Sequence, residues 1–179
     1  PIVIEQHSAE LSVSVGVSLY PAHGLTVHAL LKHADIAMYQ AKRHKLVTRT
    51  FEPWMGQAVA EQLHIAKRLA IALANRSLYL HFQPQVDMRT GELIGAEALC
   101  RWWDEELGEV SPGQFIPLAE ERGMIVALGT CVIDEACRQL GDWQCQGLVL
   151  KGQLAINIAA DQFDDNDLVS TLLTSCRLN

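Results

Sequence analysis

Over residues 11 to 20, LSVSVGVSLY, apolar side chains alternate with small polar ones until Pro21 and Gly24 break the run, which predicts one strand and its turn. Thr26 then offers a helix N-cap. Apolar residues recur behind it at Val27, Leu30, Leu31, Ala34, Met38 and Ala41, the spacing of one helical face. The basic cluster KRHK, residues 42 to 45, suits the negative end of that helix. After FEP, residues 51 to 53, Val59, Leu63, Ala66, Ala70 and Leu73 fall on one face of a second, longer helix with the regularity of a connector.

The pattern changes at Ser77. LYLHF alternates, Pro84 ends the run, MRTGE makes a turn, and LIGAEALCRW reads as a second strand, so the two are expected to form an antiparallel hairpin. Beyond the acidic loop DEELGE, Ser111 is an N-cap, Pro112 a first helical residue and Gln114 the partner of a capping box; the helix runs to about Arg122 and Gly123 closes it. Residues 124 to 146 carry a further long helix ended by Gly147. QLAINIA is then a strand and DDNDLVSTLLTSC a capped helix. This β-β-α-α-β-α order predicts an α/β fold with parallel pairing after the hairpin.

Composition narrows the function classes. Of 179 residues, 49% are hydrophobic, enough for a real core, yet no run reaches the roughly 18 apolar residues of a membrane helix. The start, PIVIEQHSAE, lacks a signal pattern. A net charge of -7 argues against a broad DNA- or RNA-binding surface but leaves room for a small anionic ligand held by a few local cations. Five cysteines without a CxxC pair fit a reducing, cytoplasmic setting, and seven histidines without a metal spacing give zinc little support.

The candidate chemistry sits in the strands. Residues two apart share a strand face, so Gly95, Glu97, Leu99 and Arg101 look one way and Ala96, Ala98, Cys100 and Trp102 the other. By the same rule Ala155 and Asn157 oppose Ile156 and Ile158, while His81, Gln83 and Gln85 oppose Leu80 and Phe82. If those faces converge, Glu97 and Asn157 supply the hard oxygen donors that magnesium or manganese prefers, with Gly95 and Ala155 leaving room beside them. Two bland readings stand against this: a Glu97–Arg101 ion pair that only fixes register, and an Asn157 amide hydrogen-bonded in the core.

Four motifs, FQPQVDMRTGELIG followed by EALCRW, SPGQFIPLAEERG and LAINIAADQF, resemble the first half of an EAL domain, the cyclic di-GMP phosphodiesterase family, over about residues 77 to 179. Upstream, SVSVGVSLYP and LLKHADIAMYQAKRH resemble the last strand and helix of a GGDEF domain, the diguanylate cyclase family, over about residues 8 to 51. The resemblance implies three parts: residues 1–52 as the end of a GGDEF domain, 53–76 as a connecting helix and 77–179 as the start of an EAL domain, an incomplete TIM-barrel-like α/β fold whose first strand is antiparallel. It also implies Glu97 and Asn157 as ligands of Mg2+ or Mn2+, Arg101 as a phosphate contact and Gln83 as a residue lining the cleft.

In that family two divalent ions activate a water that attacks one phosphodiester bond, producing linear pGpG. A non-catalytic cyclic di-GMP receptor is the rival reading, and a dimerisation segment built on the connecting helix a third. A homodimer through the EAL domain or that helix fits the pattern, as do upstream sensory or membrane domains in a longer parent. The family's paired aspartates, catalytic lysine and final glutamates have no counterpart here, so the remaining catalytic residues are unassigned and the chain alone is expected to be inactive. Lys42 matches the cyclase family's phosphate-contacting lysine, but KLV stands where that family commonly has Gly-Arg-Asn or Gly-Lys-Asn; a solvated basic helix end is the bland reading.

Overall fold

The computed structural model describes residues 2–4, 7–9, 12–163 and 167–178. The chain divides into two compact units, residues 1–63 and 64–179.

In the first unit, β1 (Ile2–Ile4) and β2 (His7–Ala9) pair antiparallel, and β3 (Val15–Val17) pairs in parallel with β4 (Thr48–Thr50). Residue 11 of the alternating run lies outside the described residues; over residues 12 to 20 the run yields a three-residue strand, because β4 is no longer than that and the chain turns at Tyr20. The partner strand in VTRT went unrecognised, since a charged residue between threonines carries no apolar period. Helix α1 (Val27–Arg43) starts where expected, with the Thr26 hydroxyl accepting from the Ala29 N–H at 3.2 Å. Its buried face differs from the predicted stripe. Ala37, Gln40 and Ala41 are buried, whereas Val27, Leu31 and Met38 are exposed, because β3 lies against the small-residue side of the helix. Ala37, Phe51 and Met55 form the small core of this unit.

Helix α2 (Pro53–Ala74) begins in the first unit and ends in the second. In its second part the buried residues are Ile65, Ala66, Leu69 and Ala72; Leu63 and Ala70 of the expected face are exposed. Two apolar stripes lie side by side on this helix, and packing rather than periodicity selects between them.

The second unit is built on a four-stranded sheet. β5 (Leu78–Val86) pairs antiparallel with β6 (Leu93–Asp104), which also pairs antiparallel with β7 (Gly108–Val110) and in parallel with β8 (Gln153–Ile156). The hairpin and the later parallel strand agree with the reading of the sequence. Pro84 does not end β5. Among the described strands β5 is an edge, where a residue lacking an N–H is tolerated. The acidic loop is shorter than expected: Asp104 still belongs to β6 and Gly108 already to β7. These strands form an open sheet, not a closed barrel, among the described residues.

Helix α3 (Pro112–Glu121) is capped by Ser111, which accepts from the Gly113 N–H at 3.3 Å; the Gln114 N–H goes to the Ser111 carbonyl, so the expected capping box does not form. Gly123 and Gly147, both at positive φ, follow α3 and α4 (Ile125–Cys145) as expected. A 3-10 turn (Ala160–Gln162) and helix α5 (Leu168–Leu178) complete the unit. The expected cap of α5 falls partly on residues 164–166, outside the described residues. Trp102, Phe115, Leu69 and Leu118 are fully enclosed at the centre of this core, each side chain stabilising the fold by about 1.5–3 kcal/mol.

Candidate functional site

Strand β6 sorts its side chains as period two requires. Ala96, Ala98 and Trp102 are buried against the helices, while Glu97, Leu99 and Arg101 lie half-buried on the other face. Across the sheet Gln83 is the register partner of Glu97 on β5, and Ala155 its partner on β8. Register partners share a face, so one row reads Gln83, Glu97, Ala155. Tyr79 stands opposite Arg101, one turn of the alternation beyond His81 and Leu99.

Asn157 follows the last residue of β8. Its side chain crosses to β6, with Nδ2 donating to Glu97 Oε1 at 2.7 Å. The amide is exposed, so it is not a satisfied core amide. Nor do Glu97 and Arg101 neutralise each other. The Arg101 Nη1 donates instead to the Cys100 carbonyl at 2.8 Å, and the described residues show no ion pair between the two charges. Glu97 is thus paired with an amide and Arg101 with a carbonyl, which leaves an anionic oxygen and a guanidinium on one sheet face, each with further bonding capacity.

Gly95 does something other than leave space for a ligand. It is buried, and a Cβ there would fall 2.6 Å from the Gln153 carbonyl oxygen, so its bare backbone is what allows β8 to approach β6 at the register that sets Ala155 beside Glu97.

Glu97 and Asn157 fit a hard divalent cation in kind, a carboxylate and an amide brought within hydrogen-bond distance. They are two donors. Among the described residues no three His, Cys, Asp or Glu side chains gather as a metal cluster, so an ion here would draw its remaining oxygens from water, phosphate or residues beyond this pair. An apolar cavity of about 240 Å3 opens beside Arg101 and Asn157, with Ile116, Leu128 and Val132 among its walls. It is small for a dinucleotide. Another cavity, about 300 Å3, is lined by Arg76, Asp134, Glu135 and Arg138, but Arg76 is paired with Asp134 at 3.1 Å and Arg138 with Glu135, so its cations are already matched. Lys42 is exposed in the last turn of α1, the place where a solvated cation meets the negative end of a helix.

Reading the sequence missed two supports of this site. Arg68 on α2 grips Asp104 at the end of β6, its Nε 3.0 and 2.9 Å from the two carboxylate oxygens. Burial alone would raise the Asp104 carboxyl, but the Arg68 hydrogen bonds and the N–H groups of Glu106 and Leu107 hold it below the ordinary range. Gln162, five residues after Asn157, is only 3% exposed. A buried glutamine after a strand end carries no periodic signal; a glycine inside a predicted helix, Gly129, was the available hint.

Comparison with known proteins gives a consistent result. The EAL domain family model matches residues 66–178, and that of the diguanylate cyclase, GGDEF domain, matches residues 1–46. The bifunctional diguanylate cyclase/cyclic di-GMP phosphodiesterase MucR of Pseudomonas aeruginosa is 42% identical over 173 residues, 96% of this chain and 25% of MucR. The cyclic di-GMP phosphodiesterase PdeR of Escherichia coli is 41% identical over 162 residues, 90% of this chain and 24% of PdeR. The chain therefore spans about a quarter of the length of these curated relatives. Among solved structures, the PaMucR phosphodiesterase in complex with c-di-GMP superposes with a TM-score of 0.59 at 41% identity, covering 64% of this chain and 46% of that one. The EAL domain of FimX from Xanthomonas citri, in complex with c-diGMP, gives 0.59 at 24% identity, covering 68% and 46%, a likeness of fold.

Proposed function

Because this chain belongs to the EAL domain family, we propose that the protein it forms part of hydrolyses cyclic di-GMP to linear pGpG in the presence of Mg2+ or Mn2+. The single observation that supports this best is the Glu97–Asn157 contact at 2.7 Å with Arg101 on the same sheet face. Glu97 and Asn157 are the metal-holding pair, Arg101 the phosphate contact, and Gln83, beside Glu97 in register, a residue lining the substrate cleft. Glu97 and Asn157 would hold a divalent ion, which would supply charge neutralisation at the scissile phosphate and lower the pKa of a bound water. The chain's own part is to keep a carboxylate and an amide together, and to present a guanidinium whose planar donors suit a phosphate.

In this reading residues 1–52 are the end of a GGDEF domain, 53–76 a connecting helix and 77–179 the start of the EAL domain. The likeness to MucR over 96% of the chain and the match of residues 1–46 to the GGDEF family support that order. The sheet is the beginning of a TIM-barrel-like fold, and this stretch alone is inactive because two metal donors do not make the full set. No described helix is long and apolar enough to cross a membrane. A cytoplasmic reaction belongs to the same proposal, favoured by an odd number of cysteines with no CxxC pair in the sequence. Homodimerisation through the EAL domain or α2, and sensory or membrane domains upstream, belong to the same proposal.

The test is to incubate the full-length protein with cyclic di-GMP and Mg2+ or Mn2+ and to resolve the nucleotides chromatographically. Metal-dependent appearance of pGpG is expected. Saturable binding without product would assign the protein instead as a cyclic di-GMP receptor.

A further inference from the structure

The segment that carries Asn157 leaves β8 at Ile156 and, among the described residues, has no strand partner before the 3-10 turn at Ala160. An exposed side chain on such a segment would be free to leave Glu97 unless something held the backbone behind it. Gln162 does so in two ways. Its Oε1 accepts from the Ala159 N–H at 3.0 Å while its own N–H donates to the Ala159 carbonyl at 3.1 Å, closing a reciprocal pair two residues beyond Asn157. Its amide also packs against α4 at Gly129. A Cβ added to Gly129 would fall 1.9 Å from Gln162 Nε2 and 2.6 Å from Cδ, so the contact exists only because that position has no side chain.

Glycine weakens a helix interior, and Gly129 is buried in the second turn of α4 with no turn or positive φ to explain it. The recess it leaves is filled by the Gln162 amide. We infer that Gly129 and Gln162 form a latch that positions Asn157: α4 holds Gln162, Gln162 holds Ala159, and the short segment before Ala159 then sets the Asn157 amide on Glu97. Neither latch residue hydrogen-bonds to Glu97 or Asn157, so both are positioning residues. The consequence of this latch for metal binding rests on the reading of Asn157 as a ligand.

Two variants test it. Gln162→Met keeps a long unbranched side chain over Gly129 and removes the acceptor for Ala159. Gly129→Ala favours the helix but displaces the Gln162 amide. In the metal-free, 15N-labelled protein, exchange of the Asn157 side-chain amide protons with water should rise about tenfold in both variants as the bond to Glu97 opens, with Tm within a few degrees of the wild type. In the full-length enzyme, the Mg2+ concentration for half-maximal activation should rise about 10–100-fold, with turnover recovered at saturating metal. Unchanged Asn157 exchange in both variants would overturn the latch. Faster exchange with no change in metal activation, together with an Asn157→Ala variant that also leaves activation unchanged, would uphold the latch and remove the metal role of Asn157.

Discussion

Arg68 and Asp104 are joined by a forked contact, the Arg68 Nε 3.0 Å from one carboxylate oxygen of Asp104 and 2.9 Å from the other, with Nη2 also 2.9 Å away. It ties the second part of α2 to the end of β6, the strand that carries Glu97 and Arg101. Asp104 is 6% exposed, and the same carboxylate accepts the N–H groups of Glu106 and Leu107 across the turn into β7. Asp104→Asn should lower Tm at pH 7 by a few degrees, measured by circular dichroism. The carboxyl is held below its ordinary range, so the stability it contributes is fully present above the unfolded-state value, near 3.9, and is lost as pH falls through the lower folded value. The Tm gap between variant and wild type should therefore shrink as the pH is taken down through that range. An equal gap at pH 7 and pH 2.5 would show that the charge of Asp104 does not contribute.

Replacing Glu97 by Gln keeps the shape of the side chain and removes its anionic oxygen. Turnover of cyclic di-GMP by the full-length protein should fall about 100-fold or more while the far-UV spectrum is unchanged. Product formation at the wild-type rate would end the assignment of Glu97 as a metal ligand.

The Arg101 guanidinium donates to the neighbouring Cys100 carbonyl and is paired with no carboxylate among the described residues, so its removal leaves no buried carboxylate stranded. Arg101→Ala should raise the Kd for cyclic di-GMP about 10–100-fold through loss of a charge-assisted phosphate contact, with little change in Tm. Titration calorimetry reads the Kd directly. An unaltered Kd accompanied by a lower Tm would mean that the arginine serves the strand alone.

Gly95→Ala places a methyl group 2.6 Å from the Gln153 carbonyl oxygen, which belongs to backbone and has little freedom to yield. Separation of β8 from β6 should cost about 1–3 kcal/mol in urea unfolding. It should also loosen Asn157 from Glu97, so that metal activation weakens in step with stability. Wild-type stability would mean that β8 shifts without cost.

Thiol labelling should follow burial. Burial pushes the Cys100 and Cys137 thiols up to about 11, whereas Cys145 is exposed at the end of α4. At pH 8, mass spectrometry after brief alkylation should find Cys145 labelled well before Cys100 or Cys137. Equal rates at all three would indicate that the core around β6 and α4 opens readily.

Local chemistry was enough to read the hairpin of β5 and β6, the helix starts at Thr26 and Ser111, the glycine stops at 123 and 147, and the shared face of Glu97 and Arg101. Each rests on a period or a cap that a few adjacent residues define by themselves. Glu97 and Arg101 stood out for the same reason: a charge inside an apolar strand conflicts with its surroundings, and that conflict is visible in one dimension, whereas the role of Gln83 entered only through the family resemblance. What packing settled was different in kind. Which of two apolar stripes on α1 and α2 is buried depends on the side from which the neighbouring elements approach. Whether Pro84 ends a strand depends on that strand being at an edge, and whether Glu97 answers to Arg101 or to Asn157 depends on where β8 lies. Gly129 and Gln162, 33 residues apart, gave no joint signal along the chain. Their relation exists only once α4 is laid beside the end of β8, because a missing side chain becomes informative when another one fills its place.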